Sequence, residues 1–189
     1  MRIISYILTL ALGFVTGTFL FEQEPIEVES DIIAVDFEPT HPEIIIPALD
    51  SEIICLAKNI YFEARGESVF GKVAVASVTL NRVESPNFPD TICGVVYQAK
   101  LSQWHLQQGR EVPLLNQCQF SWYCDGKSDE IYDHKTYESI YKLADLVYNM
   151  DIDVTDGATH YHANYVQPNW SKSMPMVAVV DTHIFYKMK

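Results

Sequence analysis

Basic residues are scarce in this 189-residue chain: 13 Lys and Arg stand against 25 Asp and Glu, a formal charge of −12. A protein that tracks a phosphate backbone needs the opposite balance, so nucleic acid is excluded as a partner. Other signatures are absent too. No P-loop, dinucleotide fingerprint or Ser-His-Asp pattern occurs, and the four cysteines lack the CxxC spacing of a structural zinc site.

The acidity is local. Ten acidic residues and no Lys or Arg fall between 22 and 52, while from Ile53 onward 15 acidic residues face 12 basic ones, a net of −3. This acidic stretch, with Pro25, Pro39, Pro42 and Pro47 and no glycine, reads as an extended linker over 22–50. Its Ile44-Ile45-Ile46-Pro47 patch is able to dock on the domain that follows. Residues 3–21 carry no charge. At about 1.5 Å per residue a helix of that length spans roughly 28 Å, close to the hydrocarbon thickness of a bilayer. Arg2 ahead of it and Glu22 and Glu24 behind it place the N-terminus in the cytoplasm and the bulk of the chain outside. Residues 1–21 are thus expected to be a transmembrane anchor, with a cleaved signal as the rival reading. The expected location is the cytoplasmic membrane, single-pass, with the folded domain on the extracytoplasmic side. Gly13, Gly17 and several threonines make the anchor weakly apolar, a pattern that would allow later release, as in phage lysis.

The domain over 51–189 reads as mostly α with a small β part. Asp50 or Ser51 is a candidate cap for a first helix ending near Gly66. A second, apolar on most sides, runs over 69–83, and Asp90 can cap a short helix reaching Ala99. A further amphipathic helix spans 133–149, and 176–180 and 184–186 read as short strands. Four cysteines in an exported chain permit three pairings; the short loop favours Cys118–Cys124, with Cys55 and Cys93 either bonded or buried thiols.

Ile53, Leu56, Ile60 and Glu63 share one helix face, so a carboxyl continues an apolar stripe. Desolvation raises the pKa of such a group and lets it hold a proton near neutral pH, as a general acid must. The bland alternative pairs Glu63 with Arg65 or Arg82. Glu67 reads as solvent-facing or as a tie for the turn. Asn81-Arg82 reads as a buried salt bridge or a loop anchor where the apolar helix leaves the core. Gln119, Phe120, Ser121 and Trp122 mix aromatic and hydrogen-bonding groups suited to sugars, against the alternative of a disulfide-closed loop whose rings only pack. His160 and His162 share one side of an extended segment, with Tyr161 between them. Hydrogen bonding to substrate or backbone is the preferred role for both histidines; metal chelation needs a third ligand from His105, His134, His183 or a carboxylate. No cofactor and no metal are expected.

Six stretches carry a family resemblance: IYFEARGE (60–67), GKVAVASVTLNRV (71–83), FPDTI (88–92), CQFSWYCDG (118–126), GATHYH (157–162) and HIFY (183–186). In this order the chain resembles the SleB/CwlJ-type, spore-cortex-lytic cell-wall hydrolases over about residues 53–187. The resemblance implies a single lysozyme-like, lytic-transglycosylase-like domain without a separate wall-binding domain. It implies Glu63 as catalytic acid, and the residues themselves make Gln119, Phe120, Ser121, Trp122, Tyr161, His160 and His162 the expected substrate contacts. It also implies peptidoglycan as the substrate, cut between N-acetylmuramic acid and N-acetylglucosamine, with lytic transglycosylation preferred over lysozyme-type hydrolysis. Hydrolysis needs a second carboxylate, for which Glu67, Asp90 and Asp125 are the candidates. A metal-dependent N-acetylmuramoyl-L-alanine amidase using His160 and His162, or a non-catalytic peptidoglycan-binding protein, is the alternative. Residues 100–115 are extra to the pattern and carry no assigned role.

Overall fold

The computed structural model describes residues 48–188. The apolar run over 3–21 and the acidic segment up to residue 47 lie outside the described residues. Among those described, no helix is long and apolar enough to cross a membrane.

Helix α1 spans Ala48–Ala64 and α2 spans Val69–Glu84. The start of α1 falls two residues before Asp50, because alanine and leucine propagate a helix well and its ends shift by a turn's fraction. Gly66 is not in a left-handed conformation. The turn is instead closed by the Glu67 N–H donating to Ala64 O at 3.0 Å. Ser68 then caps α2 by accepting from Gly71 N.

Helix α3 covers only Ile92–Val96, capped by Thr91 rather than Asp90, and does not reach Ala99. The chain becomes extended there because β1, Ala99–Leu101, pairs antiparallel with β2, Pro113–Cys118. A four-residue helix α4, Gln103–Leu106, lies inside that hairpin, so the unassigned stretch 100–115 is a hairpin excursion. A 3-10 turn at Ser121–Cys124 follows. Helix α5, His134–Met150, is capped by Asp133, which accepts from Thr136 N, and buries Ile140, Ala144 and Val147.

The remaining elements form an antiparallel three-stranded sheet in the order β3 (His160–Ala163), β5 (His183–Tyr186), β4 (Met176–Val180). A 3-10 turn at Asn169–Ser173 precedes β4. The sheet confirms the two strands expected at the C-terminus and adds β3 as a third.

Helix α2 is the hub. Val73 and Ala76 face a core built with Leu56 and Ile60 of α1, Val95 and Val96 of α3, and Ile140 and Val147 of α5. Ala74 and Val78 face the other way, onto Ala158, Val180 and Phe185 of the sheet. An element buried on both sides has to be apolar around most of its circumference, as its sequence is. Two disulfides staple the periphery: Cys55–Cys93 joins α1 to α3, and Cys118–Cys124 joins β2 to the 3-10 turn. The architecture is a mixed helix-and-sheet domain.

Candidate active site

Glu63 occupies the last turn of α1, where the helix end meets the sheet. Two hydrogen-bonded ties bring the sheet to it. Asp181, in the left-handed residue of the β4–β5 turn, accepts from Ser68 N at 3.0 Å and from Ser68 Oγ at 2.6 Å. Beside it Glu67 accepts from Thr182 Oγ1 at 2.7 Å. Glu67 is therefore a structural tie between the α1–α2 junction and the sheet. With β5 held there, its antiparallel partner β3 sets Tyr161 opposite Phe185, and the Tyr161 hydroxyl donates to Glu63 Oε2 at 3.0 Å.

Burial is the main reason the Glu63 carboxyl is raised above its ordinary value; the Tyr161 hydrogen bond and the Arg82 charge oppose it. Burial likewise drives Tyr161 well above the ordinary phenol value, with the Glu63 charge adding to it and Arg82 opposing. Tyr161 therefore stays a neutral donor. Arg82 is 4% exposed. Its Nε donates to Thr159 O at 2.7 Å, and its guanidinium lies 5.2 Å from the Phe88 ring centre and 4.9 Å from that of Phe120. Burial lowers its pKa, while Tyr161 and Glu63 pull it back up. Clamped in this way, Arg82 acts on Glu63 through its field; no ion pair of 4.0 Å or less joins them among the described residues. Asn81 donates to Thr155 Oγ1 and Ala158 O, so both residues anchor the loop entering β3, as their position at the helix end suggests.

These side chains line a cleft of about 420 Å³. Its wall includes Gln119, Phe120, Ser121, Trp122, Tyr161 and His162, six of the seven substrate contacts expected from the sequence. His160 is the correction. It lies outside the lining, its ring centre 6.0 Å from Phe88 and 5.4 Å from Trp170, with Nδ1 3.0 Å from Thr159 Oγ1. Strand alternation puts His160 and His162 on one face, away from Tyr161, and Trp170 covers that face. His162 reaches the wall from its edge. Its Nδ1 is 2.9 Å from Ala163 O, an acceptor only, so Nδ1 carries the proton and Nε2 accepts from the Tyr186 hydroxyl at 3.0 Å. Neither nitrogen of His162 has a lone pair left for a metal. Among the described residues, no group of three His, Cys, Asp or Glu converges as metal ligands do.

Three further features shape the site, and the first of them, Asn59, was missed in the sequence. Asn59, fully buried one turn before Glu63, accepts from Trp122 Nε1 at 3.0 Å and donates to Thr79 Oγ1 at 3.1 Å, fixing the indole in the wall. The signal was available: an amide on the apolar stripe one turn from a carboxyl. Trp122 is also stacked on Phe62, centres 4.6 Å apart at 20°, so the ring is wall rather than a free platform. His183 lines the cleft with its Nδ1 buried and unpartnered among the described residues, as is Arg82 Nη1. Buried polar atoms are seldom left without partners, so both are open valences beside Glu63.

Of the carboxylates weighed as a partner for Glu63, only Asp125 lines the cleft. It accepts from Lys127 N at 2.9 Å and pairs with Lys127 Nζ at 3.0 Å. The Lys127 N–H and ammonium hold its pKa below the ordinary value. Glu67 is engaged with Thr182 and Asp90 is exposed outside the cleft. A larger groove, about 730 Å³, runs between the α1–α2 junction and α5. Its carboxylate, Asp133, is committed to capping α5 and held below its ordinary pKa by the Thr136 hydrogen bonds.

Fold and cleft define a class: a helical domain capped by a small sheet, with a carboxyl raised by burial in the cleft between them. The chain belongs to the cell wall hydrolase family, whose pattern, Cell Wall Hydrolase, matches residues 66–186 and so begins just past Glu63. A spore cortex-lytic enzyme of Halalkalibacterium halodurans is 34% identical over 137 residues, 72% of this chain and 34% of that protein. That of Bacillus subtilis is 47% identical over 49 residues, 26% of this chain and 16% of that protein. The matches thus span about a third or less of these relatives' length. Two crystal structures are similar, each with a TM-score of 0.51 over 72% of this chain. One is the catalytic domain of the Bacillus cereus SleB protein, at 26% identity and 89% of that chain. The other is the catalytic domain of the germination-specific lytic transglycosylase SleB from Bacillus anthracis, at 29% identity and 93% of that chain.

Proposed function

We propose that this domain cleaves the glycan strand of peptidoglycan between N-acetylmuramic acid and N-acetylglucosamine, with Glu63 as the general acid. The observation that carries this reading is the Glu63 carboxyl itself: raised by burial, aimed into a cleft and oriented by the Tyr161 hydroxyl. Burial favours the protonated carboxyl, and a proton donor is what a glycosidic oxygen needs as its bond breaks. Once Glu63 has given it up, the neighbouring Arg82 charge and the Tyr161 hydrogen bond stabilise the carboxylate that remains. That carboxylate then serves as base. It takes the proton of the muramic C6 hydroxyl, whose oxygen closes on C1 to give a 1,6-anhydro end without consuming water. The engagement of Asp125 with Lys127 supports this single-glutamate mode over lysozyme-type hydrolysis, as does the similarity to the lytic transglycosylase SleB of Bacillus anthracis. The amidase reading loses support because His162 has no free lone pair and His160 lies outside the cleft.

The test is digestion of purified peptidoglycan by the chain and by Glu63→Gln, with the released muropeptides weighed by mass spectrometry. Anhydro ends that vanish in the variant are expected. Reducing ends would replace transglycosylation by hydrolysis, and activity that survives in Glu63→Gln but is lost in EDTA would overturn the assignment. Membrane association through residues 3–21 belongs to the same proposal, and partition of the chain into the membrane fraction checks it.

A further inference from the structure

The Phe62–Trp122 stack that walls the cleft has a second side. Behind it lies a cavity of about 300 Å³, which shares Phe62, Trp122 and Asp125 with the cleft. Its other walls are the end of α1 and the loop before α5, and their chemistry differs sharply from a sugar site. Arg65, Lys127, Asp129 and Glu130 contribute charges of both signs, with Tyr132 at the rim. A neutral hexose offers nothing that would balance these charges. A zwitterionic peptide offers both an ammonium and carboxylates, each able to form charge-assisted hydrogen bonds.

Two details sharpen the match. Arg65 stands over the Tyr61 ring at 5.2 Å, which orients a guanidinium able to grip a carboxylate in two places. Asp129 is partly buried, and that burial raises its pKa, with Lys58 opposing and Asp125 adding to it. A ligand ammonium there offsets, by its opposite charge, both the repulsion between Asp129 and Asp125 and the cost of burying the Asp129 carboxylate. The position also fits the polymer. A glycan strand lying across Glu63 carries a lactyl-linked peptide on every muramic residue, and that peptide has to leave the cleft beside the sugar being cut.

We propose that this cavity is a subsite for the stem peptide of peptidoglycan, with Arg65 taking a carboxylate and Asp129 and Glu130 taking the amino group of its diamino acid. This rests on the glycan-cleaving reading of Glu63. It makes the enzyme selective for peptide-bearing strands over bare glycan.

The experiment compares initial rates of the chain on peptide-bearing glycan strands and on the same strands stripped of peptide by an amidase. The expected kcat/KM is about tenfold or more higher on the peptide-bearing strands, the worth of one or two charge-assisted contacts. In the double variant Arg65→Gln/Asp129→Asn, KM on peptide-bearing strands rises about tenfold with kcat within about twofold, and the preference falls toward unity. Tyr132→Ala, at a side chain 74% exposed and so tolerant of change, lowers the preference in the same direction. Equal rates of the wild type on both substrates overturn the subsite while leaving the Glu63 reading intact. A double variant that is folded and keeps the full preference also overturns it. Cleavage of neither substrate overturns both.

Discussion

Tyr161 and Glu63 are 98 residues apart in the chain and 3.0 Å apart in space, with the phenol donating to the carboxyl. The hydrogen bond stabilises the carboxylate form, so it offsets part of the rise that burial imposes on Glu63. Removing it in Tyr161→Phe lets the pKa of Glu63 rise further. A general acid is active below its pKa, so the alkaline limb of the kcat/KM profile moves to higher pH in the variant. The rate at the optimum falls about tenfold because the carboxyl loses its orienting partner. Rates on purified peptidoglycan across a pH series check both. An alkaline limb that moves down, or stays in place, contradicts the assignment.

Glu63→Gln separates catalysis from stability. Loss of the acid lowers turnover by about 10² or more. The folded protein gains, since a carboxylate no longer has to be held in a desolvated site. The sign follows from linkage: the folded pKa lies above the ordinary 4.5, so the stabilisation from protonated Glu63 is full below 4.5 and is lost as pH rises through the folded value. Glutamine has no such dependence. The thermal midpoint of the variant therefore exceeds that of the wild type at neutral pH, and the gap closes on acidification, as thermal unfolding at pH 4 to 8 will register.

Asn59 supports the aromatic wall from behind. In Asn59→Leu the Trp122 Nε1–H is left buried without an acceptor, which costs about 1–3 kcal/mol. The same change frees the indole that divides the cleft from the neighbouring cavity, so KM for glycan rises as stability falls. Chemical denaturation and steady-state kinetics on one preparation test the pairing of the two effects.

The two disulfides should separate in their consequences. Cys55–Cys93 closes 38 residues and Cys118–Cys124 closes six. Loop entropy then assigns about 4 kcal/mol to the first and roughly 2 kcal/mol to the second. The shorter bridge braces the 3-10 turn that carries Trp122, so Cys118→Ser/Cys124→Ser lowers kcat/KM by more than its share of stability. Cys55→Ser/Cys93→Ser lowers the thermal midpoint more and the activity of the remaining folded protein less.

Much of this arrangement is written in local pattern. The spacing of Ile53, Leu56, Ile60 and Glu63 reports a helix face because a helix repeats every 3.6 residues, and the apolar run of α2 reports an element buried on two sides. Short elements are less legible. Helix α3 stops at Val96 because Ala99 is claimed by its strand partner Cys118, nineteen residues further on, and no local signal announces that pairing. The histidines show the same limit. Alternation along β3 correctly placed His160 and His162 on one face, but which face meets the cleft depends on Trp170 and Tyr186, which belong to other segments.

The sequence by itself determined that a carboxyl interrupts an apolar helical stripe, that the helix after it is central, and that Cys118 and Cys124 bracket an aromatic loop. These are properties of neighbours within a turn or two, where backbone periodicity dictates who faces the core. The tertiary structure decided what that carboxyl touches. It brought Tyr161 to Glu63 through the Ser68–Asp181 and Glu67–Thr182 ties, clamped Arg82 between Phe88 and Phe120, and tied Asp125 to the Lys127 beside it. Most of those partners lie far along the chain from Glu63, and a hydrogen bond or a desolvated charge depends on ångström-scale placement that only the packed fold supplies.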